Sequence, residues 1–283
     1  MSIADNIFIE NCKDILTNGT STEGETIRAI WEDTNEPAHT IKKFGIVNRY
    51  DLRKEFPLMT LRRTAFKSAV NEVLWIYQKK SNNIHDLKSH IWDSWADETG
   101  SIGKAYGYQV GVKHKYSDGE YDQMDRVLKD LKETPYSRRI ITNLYNHHDL
   151  HAMGLYPCCY SCTYNVTKED GYDKPILNLV LNQRSNDFLA ANNWNIVQYS
   201  ALLMMVAQVS NMIPGEIIHI IADAHIYDRH IDSIKELISR TPFDAPTIRL
   251  DPDIKNFYDF TEDSFEITNY QYGEQIKNIP IAI

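Results

Sequence analysis

Cysteine is scarce, long apolar runs are missing and positive charge is in deficit, and each shortage excludes something. Cysteine occurs four times in 283 residues, at positions 12, 158, 159 and 162. That is too few for a disulfide scaffold and fits reduced thiols in an intracellular, cytoplasmic compartment. No apolar run approaches the roughly eighteen residues of a membrane span. The opening MSIADNIFIENCKD has no basic stretch leading into an apolar one, so it does not read as a signal peptide. Thirty Lys and Arg face 39 Asp and Glu, a net charge of -9. That balance argues against binding to duplex DNA or RNA, which needs dense cationic side chains. A local arginine cluster can still hold one phosphate against the global field. There is no internal repeat, low-complexity tract or linker.

Apolar residues make up 42% of the chain and charged residues 24%. A chain of this length and composition hides most of its unfolded surface in a core. Periodicity predicts helices over 3–17, about 63–79, 120–133, about 194–212 and about 229–240. The first stops at Asn18-Gly19, a C-cap signal. The fourth is apolar nearly all round and belongs at the centre of the molecule. Residues 25–50 read as strands with turns, and 139–145, 157–166, 175–183 and 215–222 as further strands. The segment 90–112 reads as a loop with short helical turns. Helices and strands mix without βαβ alternation, so the expected class is α+β: one domain over 1–283, a twisted mixed sheet packed with helices.

Cys158 stands in Tyr156-Pro157-Cys158-Cys159-Tyr160-Ser161-Cys162. Three readings compete for it. A free thiol in a strand is usually a small buried apolar group. A metal site is disfavoured, because adjacent thiols and a three-residue gap do not match the Cys-x2-Cys knuckle and no second pair exists. A nucleophile needs a cation nearby to stabilise the thiolate. The run Gln183-Arg184-Ser185-Asn186-Asp187 follows a strand that could pair beside the cysteine strand. Arg184 could both depress a thiol pKa and fork onto a phosphate. An ordinary surface turn is the competing reading.

The wider pattern is more specific. Pro157-Cys158, then Gln183-Arg184-Ser185-x-Asp187, Asn195 and Asp223-x-His225-x-Tyr227 resemble the thymidylate synthase family in order and gaps. So do Phe56-Pro57-Leu58, Asn71-Glu72-Val73-Leu74-Trp75, Ile91-Trp92-Asp93-x-Trp95-Ala96-Asp97 and Gly103-x-x-Tyr106-Gly107. Ser137-Arg138-Arg139-Ile140 and the closing Pro280-Ile281-Ala282-Ile283 extend the likeness to nearly the whole chain.

The resemblance implies the thymidylate synthase fold and reductive methylation of dUMP by 5,10-methylenetetrahydrofolate, with no metal. It makes Cys158 the thiolate that adds to C6 of the pyrimidine. It assigns the phosphate to Arg184 and Ser185, and to Arg138 and Arg139 reaching across a homodimer, with Arg28 a further candidate. Without it, Ser137-Arg138-Arg139 reads as a solvated strand start. Asn195 becomes the base reader, since a carboxamide matches uracil N3–H and O4. An N-cap role on the long helix could coexist. His225 and Tyr227 are expected at the deoxyribose, although a buried structural histidine is the alternative for His225. Glu72 becomes a proton relay, as an unpaired carboxylate on an apolar helix face is otherwise costly. Tyr106 is expected to assist loss of the C5 proton. Asp187 would hold the pterin and is counted among the dUMP contacts as well. Ile91, Trp92, Ala191, Trp194 and the tail Ile281-Ala282-Ile283 would wall the folate, the tail closing as a lid.

Two departures stand out. Cys159 follows the nucleophile where the family often has His. The family's Leu-Gly-Leu-Pro-Phe-Asn stretch is replaced by Ala190-Ala191-Asn192-Asn193-Trp194-Asn195. The altered folate wall could admit water, so the alternative product is hydroxymethyl-dUMP. Trp92 is retained and favours the methyl outcome. A catalytically idle nucleotide- or RNA-binding relative is the reading from another class, opposed by the intact Cys158, Glu72, Arg184 and Asn195.

Overall fold

The computed structural model describes residues 2–283. Helix α1 (Ile3–Asn18) opens the chain, with the Ser2 hydroxyl accepting from Asp5 N–H as its N-cap. A short β1 (Thr20–Ser21) and the long β2 (Thr40–Asp51) follow, then α2 (Phe66–Tyr77) and the one-turn α3 (Gly107–Gly111). A hairpin, β3 (His114–Tyr116) and β4 (Gly119–Tyr121), leads to α4 (Gln123–Glu133), capped by Asp122. Next come β5 (Ile141–Asn143), β6 (Cys159–Thr167), β7 (Ile176–Gln183) and β8 (Asn186–Asp187). Helix α5 (Asn192–Val209), β9 (Ile213–Tyr227) and α6 (Ile231–Ser239) complete the core. The hairpin of β10 (Thr247–Leu250) and β11 (Phe265–Thr268) lies outside the main sheet.

The main sheet has the order β1-β2-β9-β7-β6-β5, with β8 added beside β9. Its neighbours are antiparallel except β7 and β8, which run parallel to β9. The sheet is therefore mixed, as expected. The parallel step needs a crossover, and α5 supplies it by packing across the inner face. Leu202, Leu203, Met205 and Val206 are all wholly buried, each worth roughly 1.5–3 kcal/mol of transfer free energy. Helix α2 closes the sandwich over α5.

Some boundaries differ from expectation, for physical reasons. Of residues 25–50, only those from Thr40 onward form a strand. The apolar Ile30 and Trp31 serve isolated bridges instead, to Pro37 and to Ala282 of the tail. The strand expected over 215–222 runs through His225 to Tyr227. The strand expected over 139–145 shrinks to residues 141–143, because the Asn143 side-chain oxygen accepts from Tyr145 N–H and turns the chain. Gly19 does follow α1, but with extended backbone. Its need is space, since a Cβ there would fall 2.3 Å from the Ile15 carbonyl oxygen.

A bulge between Cys159 and Ser161 interrupts the β6–β7 ladder. In a regular strand, residues three apart face opposite sides. The extra residue lets Cys159 and Cys162 both turn inward, where each is almost wholly buried.

Candidate active site

The site lies where the C-terminal ends of β7 and β9 meet the start of β6 and the first turn of α5. Pairing does much of the assembly. Cys159 is the partner of Gln183, so the flanking Cys158 and Arg184 are neighbours, and Arg184 N–H donates to the Cys158 carbonyl at 2.9 Å. The Arg184 guanidinium donates to the carbonyls of Pro157 (3.0 Å) and Tyr156 (2.7 Å) and lies 3.7 Å from Cys158 Sγ. Burial pushes the Cys158 thiol up, while Arg184, the Tyr106 hydroxyl and the Arg28 charge pull against that rise. Arg28 is exposed on the loop before β2, and its charge is also felt at Tyr227.

Tyr106 joins this cluster under strain. Its φ is +44° with ψ -104°, a conformation a bulky side chain rarely takes. Gly107 explains why the chain bends there: a Cβ at that position would fall 2.1 Å from the Ser81 carbonyl oxygen. The Tyr106 hydroxyl oxygen accepts from Cys158 N–H at 3.0 Å, and its ring meets Trp92 edge-on at 4.9 Å.

Glu72 projects from α2 into the same space and is 5% exposed. Its carboxylate accepts from the Trp194 indole N–H at 2.8 Å. Burial raises it to about 7, opposed by Gln198, Trp194 and Trp92. The Trp92 N–H faces the carboxylate but meets no partner in hydrogen-bond geometry. A carboxyl poised near neutrality suits proton exchange.

Asn195 lies in the first turn of α5, not at its N-cap. The helix begins at Asn192 after Ala191, and no side chain caps it. The N-cap role considered for Asn195 is therefore incorrect. Its Oδ1 accepts from Gln183 Nε2 at 2.9 Å and its Nδ2 donates to Gln198 Oε1 at 3.2 Å.

Asp187 pairs beside His225 in the parallel β8–β9 step. Its carboxylate accepts from Leu189 and Ala190 N–H, and His230 Nδ1 stands 3.5 Å away. Burial would raise Asp187, but the His230 hydrogen bond, the charges of His230 and His225 and the Ala190 N–H together hold it below its usual range. His225 Nδ1 lies 2.9 Å from Asp223 Oδ1, and its ring packs edge-on against Tyr227 at 5.0 Å. Ser185 follows Arg184 at the sheet mouth, half-buried.

The tail runs against the loop before β2. Ile283 N–H donates to the Ile30 carbonyl at 2.9 Å, the bridge Trp31–Ala282 is antiparallel, and His230 Nε2 meets the Pro280 carbonyl at 2.9 Å. Ile91 is 43% exposed beside buried Trp92. Arg138 and Arg139 are exposed on the turn before β5, and no hydrogen bond or ion pair joins either guanidinium to Cys158, Arg184 or any other described residue. Three residues at the centre of the polar network, His219, Gln198 and Asn186, were not anticipated. The one available signal was a lone histidine in the apolar run GEIIHIIA, whose alternation turns it inward with Ile217 and Ile221. Among the described residues no group of three His, Cys, Asp or Glu could hold a metal, and no helix is long and apolar enough to cross a membrane.

The thymidylate synthase family model matches residues 6–282. The chain belongs to the thymidylate synthase family. It is 42% identical to thymidylate synthase 1 of Bacillus subtilis over 93% of this chain and 94% of that one. It is 40% identical to the thymidylate synthase of Bacillus licheniformis over 98% of each. The thermostable thymidylate synthase A of Bacillus subtilis superposes with a TM-score of 0.92 at 40% identity, covering both chains fully. The fold is the one the family resemblance implied, and the chain is a methyltransferase of this family. These relatives give the hydroxymethylase alternative no support over methylation.

Proposed function

We propose that this enzyme converts dUMP and 5,10-methylenetetrahydrofolate to dTMP and dihydrofolate, with Cys158 as nucleophile. The observation that carries the reading is the Cys158 thiol held beside the Arg184 guanidinium at 3.7 Å, with a buried carboxyl poised near neutrality whose charge is felt at Tyr106 and Cys159. Carbon 5 of uracil is a poor nucleophile. Addition of the thiolate at C6 makes C5 an enolate carbon, which divides one hard step into easier ones.

Arg184 and Ser185 bind the phosphate, with Arg28 in support, and Arg184 also draws the thiol toward its ionised form. Asn195 pairs with the uracil N3–H and O4. His225 and Tyr227 take the deoxyribose hydroxyl, with Asp223 holding the His225 ring. Glu72 shuttles a proton to and from O4, and Tyr106 assists removal of the C5 proton beside the sulfur.

The residues present fit a folate. Trp92 and Trp194 offer flat apolar rings beside Glu72, and the exposed Ile91 adds an aliphatic neighbour of Trp92 in the chain. Asp187 offers acceptors to the pterin, and Ala191, Ala282 and the tail complete the wall. When bound, the folate supplies the one-carbon unit and the hydride. The protein's share is to orient it and to keep water out.

The fold also supports a homodimer. Rows of apolar, mostly β-branched side chains cross the sheet face opposite α5: Ile141, Thr163, Val180 and Ile218 in one, Val47 and Ile220 in the next. Val47 is 56% and Ile141 48% exposed. A second copy would cover this face, and Arg138 and Arg139, beside its edge, would reach the partner's phosphate site. Four free cysteines fit a reducing compartment, and on that ground we assign the enzyme to the cytoplasm.

The deciding experiment incubates the protein with dUMP and methylenetetrahydrofolate, weighs the nucleotide by mass spectrometry and follows dihydrofolate by absorbance. A methyl product with equal dihydrofolate is expected, and Cys158→Ala should abolish both. Turnover surviving that substitution would remove Cys158 from the mechanism.

A further inference from the structure

His219 lies in the middle of β9, wholly buried, and takes no part in the chemistry above. Its Nε2 is 2.7 Å from Gln183 Oε1, which also accepts from Asn186 Nδ2 at 3.0 Å. Gln183 Nε2 donates both to Asn195 Oδ1 and to the Ser185 carbonyl, each at 2.9 Å. Asn195 Nδ2 donates to Gln198 Oε1, and Gln198 Nε2 faces the Glu72 carboxylate but meets no partner in hydrogen-bond geometry. Donors and acceptors thus run in one sense from His219 through Gln183 and Asn195 to Gln198, whose amide faces Glu72.

The sense of such a chain matters because a carboxamide has nearly the same shape after a half-turn, with donor and acceptor exchanged. Two groups at the His219 end resist that half-turn. A backbone carbonyl can only accept, so the Ser185 carbonyl requires the Gln183 NH2 group on its side. Gln183 Oε1 then faces His219, whose Nε2 must carry the proton. His219 Nδ1 has no partner. A bare acceptor there is tolerable, whereas the other tautomer would bury an unsatisfied N–H. Burial also drops the His219 pKa to about 3, so the ring stays neutral.

We infer that His219, as the Nε2–H tautomer, is a positioning residue that locks the Gln183 carboxamide and so fixes the polarity with which Asn195 meets the pyrimidine. The inference rests on the reading of Asn195 as base reader. Asn195 lends one lone pair to Gln183 and one hydrogen to Gln198. The remaining pair on Asn195 then offers an acceptor to N3–H and a donor to O4, the uracil pattern. Reversal would offer the cytosine pattern.

The test compares kcat/KM for dUMP and dCMP in wild type, His219→Leu, His219→Gln and Asn195→Asp. Without its donor, Gln183 Oε1 keeps only Asn186, and His219→Leu should narrow the dUMP preference about tenfold, a cost in the range of one buried hydrogen bond. His219→Gln, whose NH2 can reach the same oxygen, should restore the preference to within about threefold. A purely structural histidine would lower both substrates together, so an unchanged ratio in folded His219→Leu overturns the proposal. If Asn195→Asp leaves the ratio unchanged, the base-reading assignment fails and takes this inference with it. If only Asn195→Asp moves the ratio, the inference alone fails. Should His219→Leu not fold, 15N spectra of histidine-labelled wild type decide. A protonated Nε2 on the buried ring is expected, and a protonated Nδ1 overturns the tautomer and the proposal.

Discussion

Glu72 couples the chemistry of the site to the stability of the molecule. A carboxyl raised from 4.5 to about 7 by burial keeps its proton in the folded state after the unfolded chain has lost it. Its contribution is fully present below pH 4.5 and is lost as pH rises through about 7. The shift corresponds to roughly 3 kcal/mol over that window. Glu72→Gln carries no such term. Denaturant titrations at pH 5 and pH 8 should therefore show wild type losing stability relative to Glu72→Gln as pH rises, while the variant loses turnover at both. An equal pH dependence in the two proteins would mean that Glu72 is ionised throughout. Activity of the wild type should carry an ionisation near pH 7 that Glu72→Gln lacks, read from the pH profile of kcat/KM, which reports the free enzyme.

At the scale of elements, legibility in the sequence followed how local each determinant was. The alternation of β7 and the apolar run of α5 are written in consecutive residues, and both formed within a few positions of expectation. The adjacency of Cys158 and Arg184 was also readable, because β6 and β7 form one antiparallel pair joined by a short connection. The carboxamide chain was not. It depends on the parallel register of β7 with β9, and α5 lies between those strands in sequence. The 25–39 segment misled for a similar reason: Ile30 and Trp31 are apolar because the tail packs on them, not because they belong to a sheet. The β3–β4 hairpin was missed because its residues are largely exposed and carry no apolar alternation.

The short helix α3 offers a direct test at this scale. Gly107 has no room for a methyl, with Ser81 backbone atoms at 2.1 and 2.7 Å from a Cβ. Gly107→Ala should cost on the order of 2 kcal/mol or more through overpacking, measured by denaturant unfolding. The backbone shift must pass into strained Tyr106 and the hydroxyl that meets Cys158. Turnover should therefore fall further than the folded fraction does. A variant with wild-type kcat would show that the Tyr106 conformation is not needed for catalysis.

At the scale of the whole molecule, the uncovered sheet face sets the expectation. A charged residue in its centre, Val180→Asp, should convert a dimer to a monomer by light scattering, since one unpaired buried carboxylate outweighs several apolar contacts. If Arg138 and Arg139 act across the interface, the monomer loses turnover too. Mixing two inactive homodimers, Cys158→Ala and the double substitution Arg138→Ala with Arg139→Ala, should then restore up to about a quarter of wild-type activity. Random exchange makes half the dimers hybrid, each with one intact site of two. No recovery after demonstrated subunit exchange would confine each site to one chain.

The pairing of β2 with β9 has a consequence in time. Asp51 is matched with Glu216 and Thr40 with Tyr227, so one edge of β2 has no long partner until the chain has grown far past it. Translation at about 5–20 residues per second leaves that strand waiting for on the order of ten seconds or more. Until then Ile46, Val47 and Tyr50 belong to a strand with an open edge, the kind of surface that joins wrong neighbours. The order of assembly follows: β6 and β7 can pair early as a local hairpin, and β2 gains its long partner only once β9 has been made. Nascent chains that end before residue 213 are the ones in which β2 keeps that edge open.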